Sequence, residues 1–198
     1  MSLTEDILVQ EVTADYLLNE LSWDESIFGM YEKLGKEGTL GRVSERETIL
    51  TRYLGEKLID LNPNLPQKAY QEALRIITEE SSSTSILAIN KDMYKLHKNG
   101  VEVVFNNDKG ERVQKRLRLF DFDDYENNHF LVVREFWIKG DIYRRRADLV
   151  GFINGIPLIF MEVKNIHKDI QKAYDENLSD YKDTVPHLFH HNGQSNGL

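Results

Sequence analysis

The sequence predicts an α/β fold, a central mixed sheet of about five strands flanked by helices. Three observations carry this. Helical periodicity runs through roughly the first hundred residues, the period changes to alternation at residue 101, and a charge-laced helical pattern returns after residue 167. Helices, then a run of strands, then a helix suit one mixed sheet with helical flanks. The 198 residues are enough for one domain with a sizeable core. The expected organisation is a single domain over 1–198. Its helical part covers about 1–99, and its sheet core with a central hairpin covers about 100–190.

Ile7, Leu8, Val12, Leu17, Leu18 and Leu21 recur near helical spacing and predict an amphipathic helix over about 5–21. A loop bearing Gly29, Gly35, Gly38 and Gly41 follows. Ser44 and Glu47 have capping-box spacing, which predicts a helix from there to about Ile59, before Asn62-Pro63. Pro66 suits a first helical position, and Ala69, Tyr70, Ala73, Leu74 and Ile77 form the apolar face of the next helix. Ile86 to Lys98 reads as a further helix stopped by Asn99-Gly100. Strands are expected in the stretches beginning at Val101 and Val113, over Phe130–Ile138, and in two apolar runs joined by Asn154-Gly155. The tail HHNGQSNGL has no apolar run, so the C-terminus reads as truncated or incomplete.

Composition limits the function classes. Apolar residues make up 40% and charged residues 29%, an ordinary globular balance. No stretch approaches the ~18 apolar residues of a membrane helix, so no membrane association is expected. The absence of cysteine excludes disulfides and thiolate metal sites and suits the cytoplasm. A net charge of −8 argues mildly against a stand-alone nucleic-acid binder. Local basic runs at Lys109–Arg118 and Arg144–Arg146 keep that possibility open, the first reading better as a solvated strand face. Gly-x-x-x-x-Gly-Lys-Ser/Thr does not occur, so no P-loop motor is encoded here.

The chemistry concentrates in RRRADLVGFINGIPLIFMEVKN, residues 144–165. Asp148 opens one apolar run, and Glu162 and Lys164 close the other. The pairing register decides whether they meet. A simple two-residue type I′ turn at Asn154-Gly155 would pair Ile153 with Ile156 and place Glu162 on the face opposite Asp148. A type I turn with Gly155 in a G1 bulge would pair Phe152 with Ile156 and Asp148 with Phe160. The acids would then lie diagonally on one face, roughly 7–8 Å apart. A bulge of that kind is therefore expected. Two carboxylates and an ammonium on one face suit Mg²⁺, which takes one or two carboxylates plus phosphate oxygens. The ion would acidify a bound water, and the lysine would orient it against a phosphodiester.

At this point the chain resembles a known family. RLFDFDDYENNHFLVV, RRADLVGFINGIPLIFMEVKN and VPHLF look like the amino-terminal PD-(D/E)xK nuclease domain of type I restriction enzyme R subunits. The match is dense over about 100–190. The resemblance implies a restriction-endonuclease-like core and Mg²⁺-dependent hydrolysis of double-stranded DNA. By that resemblance Asp148 and Glu162 match the metal-binding acids and Lys164 the catalytic lysine. The family's Gln-x-x-x-Tyr element matches Asn177 to Tyr181, with asparagine in the glutamine's place. These two residues, with Arg145 and Arg146, are expected to support the site or contact DNA. An acid on the first helix often joins such sites. Glu11 is the candidate metal ligand, with Glu5 and Asp6 as rivals. The resemblance further implies methyltransferase and specificity subunits as partners and an ATP-driven motor outside this chain. The rival readings are a stand-alone repair or mobile-element nuclease, and a non-catalytic DNA- or partner-docking module on the same fold.

Overall fold

The computed structural model describes residues 5–79, 85–107, 109–163 and 178–190. Helix α1 spans Glu5–Glu20, followed by the short strand β1, Glu25–Phe28. Three helices come next: α2 Thr51–Leu61, α3 Gln67–Thr78 and α4 Ile86–Asn99. Strands β2 Val101–Asn106 and β3 Arg112–Leu117 form a hairpin, and β4 Phe130–Lys139, β5 Arg144–Ile153 and β6 Ile156–Met161 follow. Helix α5, Ser179–Thr184, comes last. The α/β class with a mixed sheet is as the sequence predicts.

The main sheet has the order β1-β4-β5-β6, with β1 parallel to β4 and the remaining pairs antiparallel. The five expected strands all form, but β2 and β3 make a separate two-stranded sheet. The fourth strand of the main sheet is β1, in a stretch where the sequence predicts no strand. Its four residues are all half-buried, which leaves little periodicity to read.

Three apolar clusters hold these layers. One face of the main sheet presents Leu131, Val133, Phe136, Ile138, Ala147, Val150 and Phe152 to Leu40, Leu50, Tyr181, Val185 and Leu188. The other face presents Val132 and Leu149 to Ala14 and Leu17 of α1. A third cluster packs α2 and α3 on the β2–β3 sheet and reaches Ile156 of β6. Burying each of these large side chains contributes about 1.5–3 kcal/mol.

Two helix expectations shift. In α1 the sheet-facing stripe is Gln10, Ala14 and Leu17, while Leu8, Val12 and Leu21 of the expected apolar face are exposed. The capping-box segment forms a turn, with Arg46 N–H on Ser44 Oγ at 3.2 Å and Glu47 N–H on Ser44 O at 3.1 Å. The helix waits until Thr51. Its entry is set by a tertiary bond, Leu50 N–H to Gly155 O at 2.8 Å, that no local pattern encodes.

Candidate active site

The β5–β6 hairpin corrects the expected turn and keeps its consequence. Asn154 and Gly155 both have positive φ, 51° and 80°, and Ile153 pairs with Ile156. That is a type I′ turn, not a type I turn with a G1 bulge. The turn is inside the molecule. Asn154 is fully buried; its Oδ1 accepts from His129 N–H at 2.7 Å and its Nδ2 donates to Leu119 O and Asn128 Oδ1 at 2.8 and 2.9 Å. A Cβ on Gly155 would stand 2.5 Å from Leu50 O. This packing selects the tight two-residue form.

The extra residue sits further along. Phe152 pairs with Pro157 but Gly151 pairs with Ile159, so Leu158 has no partner on β5. Pro157 carries no N–H to donate, and β6 is an edge strand, where such a residue is tolerated. Pro157 is the sequence signal that could have located the bulge. Opposite it, Gly151 admits the Trp23 ring so closely that a Cβ would be 2.7 Å away. Beyond the bulge Leu149 pairs with Met161. The next step of that register sets Asp148 across from Glu162, rather than diagonal to it. Asp148 Oδ2 accepts from Val163 N–H at 2.8 Å, which keeps the two chains side by side past the end of β6.

The same position on β5 has a neighbour on its other side. Arg134 pairs with Leu149 and Phe136 with Ala147, so Glu135 stands across from Asp148. Glu135 is 1% exposed and has φ +57°, a sparsely populated conformation for a residue with a side chain. Val133 and Phe136 lie in the same core cluster, as do Val150 and Ala147. Both strands therefore lose their alternation at this step without losing register. Gln10 reaches in from α1, its Nε2 donating to Glu135 Oε1 at 2.7 Å and to Asp148 Oδ1 at 3.3 Å. Neither Gln10 nor Glu135 was singled out from the sequence. The available signals were a charge pair, Arg134-Glu135, inside an apolar strand, and a polar residue on the buried stripe of α1.

The expected supporting residues divide. Arg146 Nε pairs with Glu135 Oε2 at 2.5 Å, and Arg145 binds Asp180 Oδ1 at 2.8 Å and Thr184 Oγ1 at 3.1 Å on α5. Arg144 holds Glu45 through two bonds of 2.7 and 2.6 Å and lies over the Trp137 ring. Each arginine of the cluster thus has an acid partner within the fold. Tyr181 is buried, and its hydroxyl donates to Arg146 O. Burial, then the Glu162 and Asp148 carboxylates, push that hydroxyl above its ordinary pKa, so it stays a donor beside the two acids. Glu11 lies on the exposed side of α1, and Gln10 is the α1 side chain seen against the carboxylates. Glu5 and Asp6 stand in the first turn of α1, and their side chains lie outside the described residues, as do Lys164 and Asn177.

Among the described residues, no group of three or more His, Cys, Asp or Glu is disposed to hold a metal ion. An all-protein cage is not what Mg²⁺ requires, since it keeps several waters and uses one or two carboxylates with substrate phosphate. Asp148 and Glu162, on facing positions at the end of an edge hairpin, fit that smaller demand.

Residues 2–195 match the family described as the type I restriction enzyme R protein N terminus. The chain belongs to this family. It is 31% identical over 160 residues to the type I restriction enzyme HindI endonuclease subunit of Haemophilus influenzae, covering 79% of this chain and 15% of that protein. It is 28% identical over 195 residues to a putative type I restriction enzyme MjaIXP endonuclease subunit of Methanocaldococcus jannaschii, covering 94% of this chain and 18% of that one. The chain thus spans less than a fifth of these relatives. As a type I R-protein N terminus it carries the α/β fold that its motifs imply. Among the described residues, no helix is long and apolar enough to cross a membrane.

Proposed function

We propose that this chain is the Mg²⁺-dependent endonuclease region of a type I restriction enzyme R subunit, hydrolysing phosphodiesters of double-stranded DNA in the cytoplasm. The observation that carries the reading is the register beyond Leu158, which sets Asp148 across from Glu162 in a chain of this family. Asp148 and Glu162 would hold the ion. Bound there, Mg²⁺ would lower the pKa of a water and offset charge on the phosphate. Lys164 would orient that water, and Tyr181, fixed on Arg146 O, would hold the wall of the site beside both acids. Asn177 would supply a shorter amide where the family pattern has glutamine. The net charge of −8 fits a nuclease that relies on partners to bring DNA. Those partners would be methyltransferase and specificity subunits, with ATP used by a motor outside this chain.

Assembled complex incubated with plasmid DNA, with and without Mg²⁺, tests the reading. The unaltered chain should cut only with Mg²⁺, and Asp148→Ala should lower the rate by about 10³-fold or more, the scale of losing an electrostatic group from the transition state. Equal cleavage by the two proteins would end the nuclease assignment. It would leave the non-catalytic docking module as the better account.

A further inference from the structure

The acid on β4 that stands across from Asp148 is unexplained by the chemistry above. Glu135 is buried with a left-handed backbone conformation that disfavours side chains, and it is already paired with Arg146. Local strain of this sort persists only where the surroundings over-determine it. Gln10 is 2% exposed and touches both acids. Two carboxylates can only accept, so the amide must turn its NH₂ toward them. That orientation leaves Gln10 Oε1 buried with no hydrogen-bond partner among the described residues. A buried acceptor is normally satisfied, so the helix leaves one amide atom unmet in order to bond two acids with the other.

The contacts form a continuous line. Tyr181 holds the backbone of Arg146, Arg146 holds Glu135 Oε2, Glu135 Oε1 holds Gln10, and Gln10 holds Asp148 Oδ1. From the other side the Val163 N–H holds Asp148 Oδ2. Both oxygens of Asp148 are therefore oriented. One is set by the strand that carries Glu162, the other by α1. Arg146 compensates the charge of Glu135, so the third acid adds an acceptor to the site without adding an uncompensated negative charge.

We propose that Gln10 and Glu135 are positioning residues for the metal site: Glu135, anchored on Arg146, aims the Gln10 amide, and the amide fixes the Asp148 carboxylate for a divalent cation. The inference rests on the nuclease reading of Asp148. It goes further in assigning affinity for the ion to two residues that do not touch it. Outer partners that orient a ligating carboxylate typically govern metal affinity by about 10- to 100-fold.

The test is Mn²⁺ binding to the full chain, followed by loss of the free-ion electron paramagnetic resonance signal, beside Mg²⁺ titrations of cleavage in the assembled complex. Gln10→Ala and Glu135→Ala should each weaken Mn²⁺ binding at least tenfold and raise the half-saturating Mg²⁺ by a similar factor. Excess Mg²⁺ should restore most of the cleavage rate. Glu135→Gln keeps an acceptor for the Gln10 amide, and Arg146 is 41% exposed and stays solvated without its partner. It gives up the Arg146 ion pair, so it should bind Mn²⁺ less tightly than the unaltered chain but clearly more tightly than Glu135→Ala. A merely structural role predicts a lowered melting temperature with unchanged affinity in the folded fraction, and that result would overturn the proposal. So would failure of Glu135→Gln to restore binding, or no Mn²⁺ binding by the unaltered chain. If Mn²⁺ binding follows the expected order but Asp148→Ala complexes still cut DNA, the positioning stands and the nuclease reading falls.

Discussion

Val163 N–H donates to Asp148 Oδ2 at 2.8 Å, one residue past Glu162. The backbone just past the end of β6 thus bonds the side chain of the acid that faces Glu162. The bond is possible because Leu158 is an extra residue in β6. Were Leu158 paired with Gly151 instead, the type I′ turn would set Glu162 across from Ala147, on the other face of the sheet.

Register, rather than the bulge itself, is what the site needs. Deleting Leu158 leaves Gly151 paired with Ile159 and Asp148 across from Glu162, so cleavage should survive within about tenfold despite lost packing. Inserting one alanine between Phe160 and Met161 moves Glu162 one place, to the opposite face. It should lower cleavage about as much as loss of a transition-state electrostatic group, on the order of 10³-fold. Both are read as plasmid cleavage at a temperature where circular dichroism shows the proteins folded. Equal activity of the two variants would refute the register argument.

The turn asparagine is a structural anchor. Asn154→Gly keeps the positive φ but removes the bonds to His129 N–H, Leu119 O and Asn128 Oδ1. It should cost about 2–4 kcal/mol, from two or three buried groups left unsatisfied. Urea unfolding checks this, and a change under 0.5 kcal/mol would show that water replaces the side chain.

A second anchor is an arginine packed on β4. Arg42 is fully buried, bonds Glu32 through two contacts of 2.8 and 2.5 Å, donates to Trp137 O at 2.8 Å and lies over the Phe136 ring. It ties the glycine-bearing segment to β4. Glu32→Ala would strand the guanidinium and should destabilise by about 3–5 kcal/mol. Adding Arg42→Met should recover part of that loss in the same urea titration, since the stranded charge is then gone.

His97 gives an acid-side prediction. Burial lowers its pKa from 6.5 to about 4, its Nε2 has no hydrogen-bond partner among the described residues, and its ring meets the Phe120 ring edge-on. Unfolded, the imidazole titrates at its ordinary value, so the unfolded chain binds more protons between pH 6.5 and 4. Its neutral burial carries no ionisation penalty above that window. Stability is lost as pH falls through it, by at most about 3 kcal/mol. His97→Leu should flatten this part of the profile. An unchanged slope between pH 7 and 5 would show that His97 does not carry the acid sensitivity, since Glu45, its pKa lowered by the hydrogen bond to Arg144, gives up its contribution only in more acid solution.

Much of this was legible from residues alone. Long-period elements such as α3 and alternating ones such as β2 announce themselves, because one face of each is buried along its length. Asp148 and Glu162 stood out as charges at the edges of apolar runs, and a register-shifting bulge was deducible from the need to bring them together. Its place was not, because the turn type was set by Asn154 contacts to residues 25 to 35 positions earlier. The short strand β1 escaped notice because four half-buried residues have no pattern to read.

By itself, then, the sequence determined the class of fold and the family, since hydrophobic period and local motif are properties of neighbouring residues. Only the tertiary structure decided which helix residue reaches the acids. Gln10 rather than Glu11 lies on the stripe with Ala14 and Leu17, because α1 is rolled to bury Ala14 and Leu17 against Val132 and Leu149. It alone brought Glu135 to Asp148, 13 positions later in the chain and one strand away. Contacts between strands depend on register, and register is settled by the packing of the whole sheet.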